Sequence, residues 1–398
     1  MSKKWQYNTN KNEAEVLKIE KSFKVNKLVS KIMVNRGIYE KDAKVFLNPT
    51  RYDFHNPFEM PDMEKAVDRI IKAIENKEKT IIYGDYDVDG ITSTTVIKMF
   101  LEERGLNTDY YIPNRLHEGY GLNKPAIEKI AHKGYTLIIT VDCGITSIEE
   151  VKLAKEYGID TIVTDHHEPA EELPNDAIAI IDCKRKDNKY QFRELCGAGV
   201  AFKIIQAISQ KMNLDEKEYL KFLDIVCIGT IADIVPLKDE NRVITKLGLK
   251  LVSCTKNIGL QTLIKSIGYN NIDSTAVAFG IAPRINACGR MGDADTAIKL
   301  FLSNNVEDAT IIVNKMQDYN FKRQSEEKQI YEDAVKQIEE SNSKKADVIV
   351  LGGKNWHTGV IGIVSSKITD KYYRPSILIG YKDNEEIGKG SRKKHTRV

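Results

Sequence analysis

The sequence Thr80-Ile81-Ile82-Tyr83-Gly84-Asp85-Tyr86-Asp87-Val88-Asp89-Gly90-Ile91-Thr92-Ser93 places three aspartates at alternating positions directly after a short apolar run. The apolar run is typical of a buried strand, and the residues after Gly90 continue as an apolar, helix-like segment. Carboxylates at this spacing leave one face of a strand or line one side of a loop, where their mutual repulsion favours a cation between them. Hard divalent metals prefer such oxygen ligands. The alternative interpretation is a solvated acidic loop.

Apolar runs and helical patterns alternate through this part of the chain. We predict strands at 80–83, 109–112, 136–141, 160–164 and 177–181. Helix-like stretches such as 94–103 and 148–157 lie between them, and each is closed by a glycine of the kind that ends helices. Strands separated by crossover helices predict a parallel sheet with helices on both faces, whose ligands lie beyond the carboxyl ends of the strands.

The flanking regions are predicted to be mainly helical. A long, strongly charged helical stretch with few features of a core covers 305–340, and a second α/β unit starts at residue 346. The predicted architecture is therefore α/β with four parts, which are an N-terminal helical segment at 1–78, a catalytic domain at 79–300, a connector helix at 301–342 and a second domain at 343–398.

Composition bounds the class of protein. The 398 residues are 41% hydrophobic and 29% charged, with a net charge of +3 that neither demands nor excludes a nucleic acid partner. The six cysteines are scattered without a Cys-x-x-Cys pair, which disfavours a zinc ribbon or a disulfide framework. No signal peptide pattern or membrane-spanning apolar run is present in the sequence, so we expect a cytoplasmic protein that does not act in a membrane.

Further acidic and histidine residues follow two more predicted strands. Asp142 comes directly after the third run, and Asp165-His166-His167 follow the fourth. Since a sheet aligns its strand ends, we expect these side chains to converge with the first aspartates. Asp142 has two carboxylate oxygens and is a candidate bridge between two metals about 4 Å apart.

The two histidines and one distant acid complete the set of candidate ligands. In extended backbone, His166 and His167 would point to opposite sides, so we expect only one to bind metal directly. The other would reach a phosphate or support the ligands. Asp233 is a lone acid in the apolar segment 228–236 and needs a partner if it is buried. It is the candidate for the closing ligand, and the alternative is a helix cap.

Four motifs resemble those of the DHH phosphoesterase superfamily. They are Tyr83-Gly84-Asp85-Tyr86-Asp87-Val88-Asp89-Gly90, Val141-Asp142-Cys143-Gly144, Thr164-Asp165-His166-His167 and Ala232-Asp233. Within that superfamily, further stretches are similar to the RecJ exonucleases, and they lie at 35–38, 113–122, 196–201, 283–291 and 356–364. The resemblance extends from about residue 15 to residue 391.

The resemblance implies a metal-dependent 5′-to-3′ exonuclease that hydrolyses single-stranded DNA in repair and recombination, with two Mn²⁺ or Mg²⁺ ions. It also implies partnership with a single-strand-binding protein and a helicase. Asp142 and His167 would be catalytic, with His167 touching the scissile phosphate. The implied metal-binding residues are Asp85, Asp87, Asp89, Asp142, His166 and Asp233. Spacing leaves open which of the three clustered aspartates bind metal directly.

Three groups of residues are candidates for contact with DNA. They are Arg115, His117, Arg284, Asn286, Arg290, Trp356 and His357. Arg115 and His117 lie in a loop after a strand, where a guanidinium can pair with a phosphate. A surface salt bridge is the alternative. Arg284, Asn286 and Arg290 are expected to contact the DNA backbone, and the alternative is that they form a helix-capping loop. Trp356 and His357 precede a helix whose N-terminal amides can hold a phosphate. Trp356 is a candidate for base stacking, with packing at a domain joint as the alternative.

The sequence departs from the family pattern near its end. After Gly388-Lys389-Gly390-Ser391 the pattern would continue with an arginine-serine pair and further strands of the second domain, which this family names DHHA1. Here it reads Arg392-Lys393-Lys394-His395-Thr396-Arg397-Val398. We therefore expect a C-terminally truncated chain, in which a DHH catalytic domain is followed by a partial DHHA1 domain and activity is impaired.

Two other functions are left open by the sequence. One is a DHH/DHHA1 phosphodiesterase that acts on short oligonucleotides or cyclic dinucleotides, which the RecJ-like stretches at 35–38 and 283–291 disfavour. The other is a non-catalytic DNA-binding scaffold. Loss of catalysis normally erases ligands, and every expected acid and histidine is present here.

Overall fold

The structure is a computed structural model that describes residues 12–269, 271–341, 346–381 and 388–394. Residues 1–11 of the predicted N-terminal segment and parts of the predicted second domain lie outside this range. Four α-helices of the described residues precede the first strand, and they are α1 Glu13–Phe23, α2 Lys27–Asn35, α3 Glu40–Leu47 and α4 Met63–Asn76. The first three form a small core of their own around Ile19 and Met33, whereas α4 packs its apolar stripe against the sheet.

The five predicted strands are confirmed as one parallel sheet. They are β1 Thr80–Gly84, β2 Thr108–Tyr111, β3 Leu137–Val141, β4 Asp160–Asp165 and β5 Ala179–Asp182, in the order β2-β1-β3-β4-β5. The connecting helices are α5 Val88–Glu102, α6 Lys124–His132 and α7 Ile148–Glu156. The strand order changes direction between β1 and β3, and ligands of such sheets bind at this switch point.

Helices cover both faces of the sheet, as predicted. Alternate strand residues such as Ile81 and Ile138 pack under α6 and α7, while Ile82 and Ile139 face a larger core that contains α4 and α5. That core continues into a helical region, whose helices are α8 Gly197–Lys211, α9 Lys217–Leu220, α10 Leu223–Ala232, α11 Asp239–Val252, α12 Ile258–Ile267, α13 Ser274–Ala276, α14 Ala282–Arg290 and α15 Asp295–Phe301. A π-helical segment, Val277–Ile281, joins α13 to α14.

A single long helix links this region to the second α/β unit. The helix α16 covers Val306–Glu340, and the unit contains β6 Ile349–Lys354, α17 Ile361–Tyr372, β7 Ser376–Tyr381 and β8 Lys389–Lys393. β7 pairs parallel with β6 and antiparallel with β8. Our expectation that the long helix has few features of a core was wrong. Val313 and Met316 pack on the catalytic core, and Ile330 and Ile338 pack on the second unit, because the apolar residues recur on one face.

We searched the described residues for helices that are long and apolar enough to cross a membrane, and there are none.

Candidate metal centre

The first aspartate stretch is spread over three different backbone environments. Asp85 follows β1, Asp87 is the N-cap of α5, and Asp89 lies in the first turn of that helix. Our expectation of one strand face or one loop side was wrong, because the helix starts at Val88 rather than after Gly90. The turn is tight enough to require a glycine, since a Cβ on Gly90 would lie 2.5 Å from the carbonyl oxygen of Asp85.

The three carboxylates differ in the hydrogen bonds that their oxygens accept from the protein. Asp87 Oδ1 accepts hydrogen bonds from the amides of Asp89 (2.9 Å) and Gly90 (3.1 Å), which is normal N-capping. Asp89 accepts from the amides of Gly197 (2.5 Å) and Ala198 (2.9 Å), so it anchors the start of α8. Asp85 Oδ1 is buried and has no hydrogen-bond partner in the part of the chain that the structure describes. Such a group is costly unless something else satisfies it.

Asp142 is held in a strained position at the end of β3. Its φ of 59° lies in the left-handed region, which is unusual for a residue with a side chain. The carboxyl group is buried, and no described residue offers its Oδ1 a hydrogen-bond donor of suitable geometry, although His166 Nε2 lies 3.1 Å away. Strain and an unsatisfied buried oxygen together mark a functional position.

His166 brings together residues from four parts of the chain. Its Nε2 lies 3.1 Å from Asp142 Oδ1, 3.7 Å from Asp89 Oδ2 and 3.8 Å from Asp233 Oδ2. Asp233 is the C-cap residue of α10, so it both ends a helix and faces the cluster. The strand ends and α10 therefore converge on one point.

His167 is oriented by the protein and remains accessible. Its Nδ1 lies 2.7 Å from Asp165 Oδ1 and 3.2 Å from the hydroxyl of Tyr120, and its side chain is 47% exposed. Our expectation that His166 and His167 point to opposite sides was wrong, since their ring centroids are only 4.4 Å apart. The alternation rule stops applying because β4 ends at Asp165.

The electrostatics of the cluster favour neutral carboxyl groups in the absence of a counter-charge. Burial, reinforced by the neighbouring Asp87, raises the pKa of Asp85 to about 8. Burial and the nearby Asp89 raise the pKa of Asp142 well above its usual range and that of Asp233 to about 7. Burial also opposes ionisation of Asp165, but hydrogen bonds from His167 and from the Ile145 and His166 amides outweigh it and lower the pKa.

Three sets of donor atoms could each hold a metal ion. The sets are Asp85, Asp87 and Asp142; Asp89, His166 and Asp233; and Asp142, His166 and His167, with donor atoms within 4.8 Å of one another in each. Asp142 belongs to two of them, as a bridging carboxylate would. Carboxylates with imidazole suit divalent ions such as Mn²⁺, and the two unsatisfied buried oxygens would gain a partner. The residues therefore fit two divalent cations.

Arg115 and Arg290 lie beside the acidic cluster, and His357 lies near Arg115. The Arg115 guanidinium lies 4.9 Å from the ring centroid of Tyr86, and Arg290 Nη1 donates to the carbonyl oxygen of Gly359 (3.0 Å). Within the described residues, neither guanidinium pairs with a carboxylate. Burial, with the neighbouring Arg115, lowers the pKa of Arg290 to about 10, and burial also lowers the pKa of His357.

The other predicted DNA contacts lie in different surroundings. Arg284 is inside α14, not in a capping loop, and donates to Gln317 (3.0 Å) and to the Gly280 carbonyl (2.8 Å). Asn286 lines a groove next to α16, and His117 is exposed.

Trp356 corrects one of our predictions. Its ring is 6% exposed, packs against Gly353 and donates its indole N–H to Asp333 (2.8 Å). Base stacking by Trp356 is therefore wrong for this conformation, because the ring has no free face. It packs at the joint between α16 and the second unit.

Sequence reasoning missed two polar residues near the centre. The Tyr120 hydroxyl donates to the carbonyl oxygen of Asp142 (3.2 Å) and also contacts His167. The feature of the sequence that could have pointed to it is a tyrosine between two glycines, Gly119 and Gly121, both of which have a positive φ. Asp182 ends β5 and is fully buried, and its Oδ2 has no hydrogen-bond partner within the described ranges. Its burial raises its pKa to about 7. It could have been found as the acid that follows the fifth apolar run.

Comparison with known proteins agrees with these features. Residues 79–230 match the model of the DHH family, N-terminal domain. The single-stranded-DNA-specific exonuclease RecJ of Bacillus subtilis is 42% identical over 380 residues, which are 95% of this chain and 47% of that protein. The chain thus spans about half the length of this relative.

Solved structures of RecJ proteins are also similar. The Mn²⁺ complex of RecJ from Thermus thermophilus superimposes with a TM-score of 0.80 at 29% identity, covering 92% of this chain and 52% of that one. The same protein was solved with Mg²⁺ and gives a TM-score of 0.72 at 27% identity, covering 92% of this chain and 50% of that one.

A further structure, of exonuclease RecJ bound to manganese, gives a TM-score of 0.75 at 32% identity. The match covers 81% of this chain and 80% of that one, so it includes most of both molecules. With a matching family model, a 42% identical relative and these structures, the chain belongs to the RecJ family of the DHH superfamily.

Proposed function

We propose that this chain is a metal-dependent exonuclease that hydrolyses the phosphodiester bonds of single-stranded DNA from the 5′ end. The observation that carries the proposal is the convergence of six candidate ligands around two buried carboxylate oxygens that have no hydrogen-bond partner among the described residues. A structural cluster of acids would be expected to have its oxygens satisfied by amides, as those of Asp89 are. Two divalent cations bound here would neutralise the substrate phosphate and lower the pKa of an attacking water.

The residues of the chain have separate tasks in this proposal. Asp85, Asp87 and Asp142 would hold one cation, and Asp89, His166 and Asp233 would hold the other. Asp142 would be shared, since its donor atoms also form a set with those of His166 and His167. Asp165 fixes the imidazole of His167 through Nδ1, which leaves Nε2 directed away from Asp165 and free to donate to an oxygen of the scissile phosphate. Hydrogen bonding to Asp165 raises the pKa of His167, which favours the cationic form of the imidazole and with it phosphate binding.

The 5′ polarity is supported by the basic residues at one side of the cluster. Arg115 and Arg290 offer positive charge near Asp85 and Asp87, and within the described residues neither guanidinium pairs with a carboxylate. Two guanidinium groups this close repel each other, and a doubly charged terminal phosphate would remove that repulsion. Holding a terminal phosphate here would place the next phosphodiester over the metal centre, so nucleotides would leave from the 5′ end.

The domain limits and biological partners complete the proposal. We propose an N-terminal helical segment at 1–78, a DHH domain at 79–300, a connector at 301–342 and a DHHA1 unit from 343. Roles in DNA repair and recombination, beside a single-strand-binding protein and a helicase, rest on the resemblance alone.

The test is digestion of matched DNA substrates. We expect Mn²⁺-dependent release of nucleotides from single strands labelled at the 5′ or the 3′ end, with the 5′ label lost first, no digestion of blunt duplexes, and no activity in EDTA. The Asp142→Ala variant should be inactive, while Asp224→Ala, which removes a buried acid far from the cluster, serves as control for damage to the fold. Preferential hydrolysis of dinucleotides would favour the short-oligonucleotide alternative, and tight DNA binding without hydrolysis would favour a scaffold.

A further inference from the structure

Tyr120 contacts two residues of the candidate metal centre, although it is not itself a candidate ligand. Its hydroxyl donates to the carbonyl oxygen of Asp142 (3.2 Å). The same hydroxyl oxygen lies 3.2 Å from Nδ1 of His167, and the two rings meet edge to face with their centroids 5.8 Å apart. A side chain from the loop after β2 thus joins the residues that follow β3 and β4.

The loop that carries Tyr120 is fixed on both sides of it. Gly119 and Gly121 flank the tyrosine with φ of 87° and 79°, a conformation that residues with a side chain rarely adopt. Before the tyrosine, Glu118 accepts a hydrogen bond from the backbone amide four residues earlier (2.7 Å). After it, the buried Tyr83 donates its hydroxyl to the carbonyl oxygen of Gly121 (3.1 Å). The position of Tyr120 is therefore set by the fold.

Core packing does not account for this tyrosine. Its side chain is 51% exposed, so burial contributes less to its placement than it does for a core tyrosine such as Tyr83. What the structure gives Tyr120 instead is the hydroxyl contact with both Asp142 and His167. This points to a role in the centre.

The contacts of Tyr120 determine which nitrogen of His167 carries a proton. The single phenolic proton is donated to Asp142, so the hydroxyl oxygen presents a lone pair to Nδ1. The other partner of Nδ1 is Asp165 Oδ1 at 2.7 Å, which is also an acceptor. With acceptors on both sides, Nδ1 keeps its proton, and Nε2 is the nitrogen that is left for the substrate.

Asp165 alone leaves the imidazole of His167 one degree of freedom. Its Oδ1 also accepts from the backbone amides of His166 (2.7 Å) and His167 (3.2 Å), so all of these bonds lie within one turn of chain. A ring held through a single hydrogen bond can swing about it. A second contact to Nδ1, from a distant loop, restricts that swing, and small displacements of a reacting group are costly for the rate.

We propose that Tyr120 is a positioning residue for hydrolysis, whose hydroxyl holds the imidazole of His167 with Nδ1 protonated and Nε2 directed to the scissile phosphate. The inference rests on the proposed function, because the group that it positions is the one that would contact the phosphate. Tyr120 itself touches no reacting atom.

The first experiment is a double-mutant cycle on Mn²⁺-dependent hydrolysis of single-stranded DNA. Tyr120→Phe removes the hydroxyl and keeps the ring. We expect kcat to fall at least about tenfold while KM stays within about twofold, because the strand is bound without this hydroxyl. In a His167→Ala background the same change should alter kcat by less than about twofold, since Tyr120 acts through His167.

Tyr135→Phe is the matched control. Tyr135 also donates its hydroxyl to a carboxylate, that of Asp109, but it precedes β3 and lies at the opposite edge of the sheet from the metal centre. This variant should keep the kcat and KM of the unaltered protein.

The second experiment does not need hydrolysis. The protein is labelled with ¹⁵N in its histidine rings and kept in Mg²⁺ without DNA, and the Nδ1 proton of His167 is identified by its absence from His167→Ala. We expect a resolved NMR signal, because the two acceptors protect this proton from exchange with water. Its exchange should be at least about tenfold faster in Tyr120→Phe and unchanged in Tyr135→Phe.

Several results would overturn the inference. They are a normal kcat in Tyr120→Phe, an equal loss of kcat with and without His167, a change that appears only in KM, and an Nδ1 signal that is missing from the unaltered protein or unaffected by Tyr120→Phe. If Tyr120→Phe accelerates exchange at Nδ1 but the unaltered protein does not hydrolyse DNA, the contact is real and the proposed exonuclease activity is what fails.

Discussion

Asp142 is buried among the other carboxyl groups of the candidate metal centre, so its ionisation is unfavourable without a metal ion. When the metal-free chain folds, this carboxyl group must either take up a proton or remain ionised among Asp85, Asp87 and Asp89. An amide does neither, so we expect Asp142→Asn to raise the free energy of unfolding in EDTA by at least about 1 kcal/mol at neutral pH. The same variant should lose Mn²⁺ binding and at least about a hundredfold of any hydrolysis, because it removes the charge of the candidate ligand that belongs to two of the donor sets.

Thermal unfolding in EDTA and calorimetric titration with Mn²⁺ measure these two effects. Asp224→Asn is the control, since Asp224 is also a buried acid whose burial raises its pKa, but it bonds to Thr255 and lies away from the cluster. It should not weaken Mn²⁺ binding. A less stable Asp142→Asn protein with normal Mn²⁺ affinity would contradict the assignment of this residue as a ligand.

The raised pKa values of Asp85 and Asp233 predict how pH acts on the centre. Burial and like charges set them to about 8 and about 7 in the folded chain, against about 4 in the unfolded chain. The folded state therefore binds more protons between pH 4 and 8, so the metal-free protein should lose stability as pH rises through that window.

Mn²⁺ competes with those protons, so its affinity should rise at least about tenfold from pH 6 to pH 8. The increase in melting temperature that Mn²⁺ causes should likewise be larger at pH 8. Calorimetric titrations at both values measure this, and Asp85→Asn should show a flatter dependence. An Mn²⁺ affinity that does not change with pH would show that these carboxyl groups are already ionised without metal.

At the scale of elements, the start of α8 packs closely against Asp89 and Asp142. The Gly197 amide donates to Asp89, and a Cβ on Gly197 would lie 2.6 Å from the Cβ of Asp142. We expect Gly197→Ala to displace Asp142, to cost about 1–3 kcal/mol of stability and to weaken Mn²⁺ binding.

Gly199→Ala is the matched control in the same helical turn. The nearest atom to its added Cβ is Leu195 Cδ2 at 3.1 Å, which belongs to a flexible side chain. Because alanine favours helix over glycine, this change should be nearly neutral for stability and leave Mn²⁺ affinity intact. Equal tolerance of both substitutions would mean that α8 does not position Asp142.

The sequence was most informative where one local pattern dominates. Apolar runs with glycine-ended helices between them predicted all five strands, and the residues at the strand ends predicted most of the cluster. The start of α5 was missed because Asp87 caps the helix earlier than Gly90 suggested. The turn after β4 that places His166 beside His167 depends on contacts with Ile145 and Tyr120, which lie far away in sequence. Burial of Trp356 likewise depends on Asp333 and Gly353.

At the scale of the whole molecule, α16 determines whether the second unit can reach the centre. One face of this helix packs on both units, and Gly359 of the second unit contacts Arg290, where a Cβ would lie 2.4 Å from the Arg290 carbonyl oxygen. The candidate metal ligands all belong to the first unit, whereas His357 and part of the groove next to α16 come from the second. Metal binding and DNA binding should therefore be separable by a change in the helix.

Ser325→Pro is expected to separate them. Ser325 is exposed in the middle of α16, so the substitution removes no core contact, but proline deletes a helical hydrogen bond and kinks the helix at a cost of about 3 kcal/mol. The kink would move the second unit away from Arg290. We expect Mn²⁺ affinity close to that of the unaltered protein, together with at least about tenfold weaker binding and slower digestion of long single strands. Ser325→Ala, which favours the helix, is the control and should behave normally. If Ser325→Pro digests long strands as well as the control does, the second unit does not contribute to holding the DNA over the metal centre.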